Sequence, residues 1–183
     1  RLFDFHRSRP VFSNLITSHS TKMTTDITPS TILKGIYYPG LFLMSAADLN
    51  GDGRSDIVFN GGSLPSDAPV AAGPMIFVNQ GQGNFTQMDL GDGLHDLVHP
   101  REFGFSDFNG DGHRDILIAA HGHDTDPFPG ESNTLLLSDG NGGYFDASSN
   151  LPSVADFSHS LAIADIDGDG DQDVYIGNVA GQL

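Results

Sequence analysis

The sequence predicts an all-β protein assembled from repeated, four-stranded antiparallel units. Three observations predict it. An acidic loop occurs three times, as Asp48-Leu-Asn-Gly-Asp-Gly-Arg-Ser-Asp56, Asp107-Phe-Asn-Gly-Asp-Gly-His-Arg-Asp115 and Asp165-Ile-Asp-Gly-Asp-Gly-Asp-Gln-Asp173. The copies start 59 and 58 residues apart, a spacing that belongs to a repeated structural unit rather than to a lone motif. Each copy is followed at once by an apolar, β-branched or aromatic run, and no long amphipathic helical pattern interrupts the chain.

Residues 1–35 stand apart. They hold scattered Phe3, Phe5, Phe12 and Leu15 among basic and hydroxyl residues without a sustained period, and read as a basic, irregular segment or linker. From Ile36 the pattern turns β-like. Leu41 to Ala47 leads into the first loop and Asp56-Ile-Val-Phe leaves it, which predicts two antiparallel strands joined through the loop. After a Gly/Pro/Ala connection over 60–74, Met75-Ile-Phe-Val and Phe85-Thr-Gln-Met flank the turn Asn79-Gln-Gly-Gln-Gly-Asn and read as a hairpin. These strands make a first unit over 36–98.

The second unit, 99–157, repeats the order. Phe103-Gly-Phe-Ser enters its loop, Ile116-Leu-Ile-Ala-Ala leaves it, and a polar connection spans 121–133. Thr134-Leu-Leu-Leu and Tyr144-Phe then flank the turn Ser138-Asp-Gly-Asn-Gly-Gly. The third unit, 158–183, holds two strands, Ser158 to Ala164 and Val174 to Asn178. Four-stranded units at a fixed period predict a partial β-propeller of about two and a half blades. Rings need more blades, so the expectation is a fragment of a six- to eight-bladed ring. The remaining blades would come from a longer chain or from self-association.

The loop spacing points to a hard cation. Side-chain oxygens fall at places one, three, five and nine, and Ca²⁺ takes six to eight oxygens in flexible geometry. The expected side-chain ligands are Asp48, Asn50, Asp52 and Asp56; Asp107, Asn109, Asp111 and Asp115; and Asp165, Asp167, Asp169 and Asp173. A backbone carbonyl from place seven, at Arg54, His113 and Asp171, would complete each set, for about one Ca²⁺ per loop and three in the chain. These are not EF-hands. Place twelve, where an EF-hand carries Glu, holds Phe59, Ile118 and Ile176, and a strand follows in place of a helix.

Charge agrees with that assignment. The net charge is −16, and 11 of the 24 acidic residues lie in the three loops, so much of the acidity is ligand charge that a divalent ion would offset. Such a chain is a poor partner for nucleic-acid phosphates. With no cysteine, disulfides, zinc thiolates and Cys nucleophiles are excluded. No apolar stretch approaches the ~20 residues that span a bilayer. The sequence opens without Met and without a signal-peptide pattern, which reads as a processed chain or a fragment.

With these residues in view, the chain resembles the FG-GAP/VCBS repeat family, whose best-known members are the integrin α-subunit head domains. The resemblance rests on the Asp-x-[Asn/Asp]-Gly-Asp-Gly-x-x-Asp loop between two strands and on the Asn79–Phe85 hairpin, and covers about residues 40–183. It implies Ca²⁺ between the first two strands of each blade, and an extracellular, cell-surface or periplasmic module that binds a protein or carbohydrate. The Phe-Gly half of the family's name is visible at Phe103-Gly104, and Gly-Ala-Pro is absent after each second strand. That favours the bacterial VCBS-like branch.

The histidines raise a second class of function. Of His95, His99, His113, His121, His123 and His159, the run His121-Gly-His-Asp124 is the most suggestive, since two imidazoles with acids nearby suit a transition metal or acid–base work. It sits in a Pro/Gly-rich connection where polar surface residues are common, which favours a structural role. No nucleophile elbow, phosphate loop or His-Glu-x-x-His occurs, and no catalytic residue is assigned. The alternative to a binding module is the propeller of a secreted carbohydrate-acting enzyme or a lectin.

Overall fold

The computed structural model describes residues 41–61, 71–90, 94–124 and 126–179. The reading of 1–35 as a linker, and most of the 60–74 connection, lie outside them. The described chain is all-β apart from one 3₁₀ turn at Ser148–Asn150. β1 (Leu41–Ala47), β2 (Asp56–Gly61), β3 (Pro74–Gly81) and β4 (Asn84–Gln87) form one sheet. β5 (Pro100–Ser106), β6 (Asp115–Ala120), β7 (Thr134–Ser138) and β8 (Tyr144–Asp146) form a second, and β9 (Ser158–Ala164) with β10 (Asp173–Asn178) a third. Both four-stranded sheets are antiparallel meanders in chain order. These are propeller blades in a partial array that does not close a ring.

The register repeats to the residue. Ala47 pairs with Asp56, Ser106 with Asp115 and Ala164 with Asp173. In every blade, therefore, the ninth loop residue is the first residue of the second strand, and the loop spans one end of that strand pair. The other end of the central pair closes at Pro100 and Ala120. Six residues of strand separate the two ends, about 20 Å at strand rise.

The central sheet has a neighbour on each face, and its sequence shows it. All six residues of β6, Asp-Ile-Leu-Ile-Ala-Ala, are buried, a continuous apolar run of the kind that marks a sheet covered on both sides. Ile116 and Ile118 join Val58, Ile76 and Leu97 in a core shared with the first sheet. Leu117 turns the other way, with Leu135 and Leu137, toward Leu161 of β9. β5 packs against β9 at Gly104. A Cβ there would stand 2.5 Å from Ile163 Cδ1 and 3.1 Å from Leu161 Cδ1, so glycine lets two side chains of β9 lie directly on the β5 backbone. The far face of the third sheet is open, with Ser160, Ala162 and Ala164 of β9 exposed and Tyr175 of β10 70% exposed.

Candidate metal centres

The three acidic loops share one hydrogen-bond pattern. The first aspartate accepts the backbone N–H of place five through Oδ1, at 3.1 Å for Asp48, 3.0 Å for Asp107 and 3.1 Å for Asp165. Its Oδ2 accepts the N–H of the sixth-place glycine at 2.9, 2.8 and 3.1 Å. Place three also reaches the N–H of place five, from Asn50, Asn109 and Asp167. The fifth aspartate accepts the N–H of place seven, at Arg54, His113 and Asp171. The two glycines of each loop take φ between +73° and +100°, and no atom lies within 4 Å of where their Cβ would stand. Glycine is needed there for backbone conformation, not for space.

The ninth aspartate differs from the rest. Asp56 and Asp115 are completely buried. Asp56 accepts the N–H of Leu49 at 3.0 Å and of Asn79 at 2.8 Å, one on each oxygen. Asp115 likewise accepts Phe108 N–H at 2.8 Å and Ser138 N–H at 2.9 Å. Each thus ties the start of the loop to the third strand. Burial nevertheless raises the Asp115 carboxyl above its ordinary range, against the lowering effect of those two bonds. Spacing marked these residues as cation ligands and missed this second role, because their partners on the third strand lie 23 residues away.

The loops differ in how far their carboxylates are already engaged. Arg54 pairs with Asp52 and also donates to the Asn79 carbonyl at 2.7 Å. In the second loop Asn109 Nδ2 donates to Asp111 at 2.9 Å. The His113 backbone N–H and that amide hold Asp111 below the ordinary carboxylate range. The His113 ring is exposed and lies beside Gly140 of the β7–β8 turn. In the third loop Asp165, Asp167 and Asp173 bring carboxylate oxygens within 4.8 Å of one another. It is one of two such acid or histidine clusters among the described residues.

The other cluster contains histidine and sits at the opposite blade end. His99 immediately precedes β5 and His121 immediately follows β6; the His121 N–H donates to the His99 carbonyl at 3.2 Å. Glu131 anchors this strand end by accepting the N–H groups of Val98 and His99. The Asp124 carboxylate lies 3.3 Å from His99 Nδ1 and 3.7 Å from His121 Nε2. His159 of β9 brings Nε2 to 3.0 Å from His121 Nδ1, and the Phe157 ring packs edge-on against His121. His121 is 1% exposed, which corrects the expectation of a polar surface residue. It continues the doubly covered strand β6. Burial and neighbouring positive charge lower its pKa to about 4, and burial is also the main cause that lowers His99 and His159. The sequence pairs His121 with His123; the fold pairs it with His99 and His159.

Residues 107–176, from the second loop to β10, match the family model of the FG-GAP-like repeat. That match supports the family resemblance read from the loops. No curated protein matches the chain.

Proposed function

We propose that the chain is a calcium-binding propeller module for extracellular binding or adhesion, in which one Ca²⁺ per acidic loop stabilises each blade. The observation that carries this reading is the recurrence of one loop geometry three times, with three carboxylates converging in the third copy. Each aspartate oxygen already bonded to a backbone N–H keeps a further lone pair for a cation. The ligand sets are those named by loop place, with carbonyls of Arg54, His113 and Asp171 completing them. An ion in the loop would bridge the first and second strands and contribute folding free energy, because the unfolded chain has no preformed site. Affinities of about 10⁻⁴–10⁻³ M suffice outside the cell. The missing Gly-Ala-Pro after β2 and β6 supports the VCBS-like branch, and the recognised protein or carbohydrate would meet the connections at the other blade end.

Calcium titration of chelator-stripped protein by calorimetry tests the reading. Three equivalents are expected, with a rise in melting temperature. Failure to bind calcium in any loop would overturn it.

A further inference from the structure

We propose that His99, His121 and Asp124 form a second kind of metal site, for a divalent transition ion such as Zn²⁺, at the blade end away from the acidic loops. Two observations point to a ligand there. The three side chains offer donor atoms within 4.8 Å of one another. And His121 Nε2, on a side chain almost wholly buried, has no hydrogen-bond partner. A buried polar atom without a partner is destabilising, and this one lies beside a carboxylate too distant to bond it, at 3.7 Å.

His121 Nδ1 and His159 Nε2 are 3.0 Å apart, so one of them carries the shared proton. If His121 Nδ1–H donates, its Nε2 is a bare lone pair beside the Asp124 carboxylate, and with the His99 proton on Nε2 the His99 Nδ1 adds a third acceptor around one point. A cation at that point satisfies all three. His159 then occupies the position of the outer hydrogen-bond acceptor that fixes the tautomer and orientation of a metal-bound imidazole. Imidazole nitrogens with one carboxylate suit Zn²⁺ and its neighbours better than Ca²⁺, which takes oxygen. The neutral imidazoles favoured by burial are the metal-binding form.

The opposing term is Arg101, whose Nη1 lies 3.3 Å from His99 Nε2. Its side chain is exposed and can swing into solvent as His99 moves its proton to Nε2. Asp124 is 57% exposed, so the site opens outward. Three protein ligands with a solvent-facing fourth position leave room for water or for an oxygen or nitrogen donor from a partner. The proposal does not depend on calcium in the loops.

The test uses the full chain, stripped of metals and then held in saturating Ca²⁺. Zn²⁺ is titrated by calorimetry, and Co²⁺ by visible absorption as a reporter of low coordination number. One equivalent of Zn²⁺ is expected, with an intense Co²⁺ band. His99→Gln and Asp124→Asn should each weaken binding by about tenfold or more, whereas exposed His95→Gln should leave it unchanged. Calcium stoichiometry, measured separately in both ligand variants, should stay at the wild-type value. No Zn²⁺ binding in the Ca²⁺-saturated protein, or binding that both ligand variants retain in full, overturns the proposal.

Discussion

The two ends of the central blade carry polar groups in opposite styles. At the β5–β6 loop, the aspartates are local in sequence, and nearly the same hydrogen bonds recur at the loops of the other two blades. At the far end His99, His121 and His159 come from three segments, and they meet beneath packed aromatic rings. The difference teaches where each end gets its geometry. Alternating acids and positive-φ glycines shape the loop by themselves. The histidine cluster exists only where two strands pair and a third strand packs across them.

Chelation should separate the ends most strongly. EGTA is expected to lower the melting temperature by more than about 10 °C, since a site held at 100-fold its dissociation constant contributes about 2.7 kcal/mol. An unchanged melting curve would refute a structural role for calcium. Asp115→Ala should cost about 2–4 kcal/mol by chemical denaturation, because it leaves the N–H groups of Phe108 and Ser138 unpaired in the interior. That loss should persist in EGTA. If the chelator abolishes it, the clamp works only through the ion.

Gly104→Val probes the seam that carries His159. Its side chain would collide with Ile163 and Leu161, at a cost of about 1–3 kcal/mol. Zn²⁺ affinity should fall while calcium affinity at the first loop holds; equal losses at both would show that the ends are not independent. Within the acidic end, Asp169→Ala should reduce calcium affinity more than Asp52→Ala, and the reverse ranking in site-resolved titrations would refute the ordering. Arg54→Gln should raise first-loop affinity by up to about fivefold, because it frees Asp52 from an exposed ion pair.

Much of this molecule is legible from its residues. Leu41–Ala47 and Asp115–Ala120 emerge as strands because turn-forming Asp and Gly bound their apolar runs. The register emerges as well, since the same loop length closes each strand pair at the same place. Continuous burial of Ile116, Leu117 and Ile118 hides the period of two that would have told which face meets which neighbour. His121 looked like loop surface for a related reason: nothing near it in sequence says that Phe157 and His159 will cover it.

The sequence by itself determined the all-β repeat and the three acidic loops, because alternation, glycine spacing and charge act over a few neighbouring residues. Tertiary structure alone decided that Asp56 and Asp115 clamp the third strand. It also decided that Gly104 admits β9, and that His99, His121 and Asp124 converge. Those outcomes depend on contacts between segments 22 or more residues apart, or on strands of adjacent blades, and strand pairing and sheet packing, not local preference, bring them together.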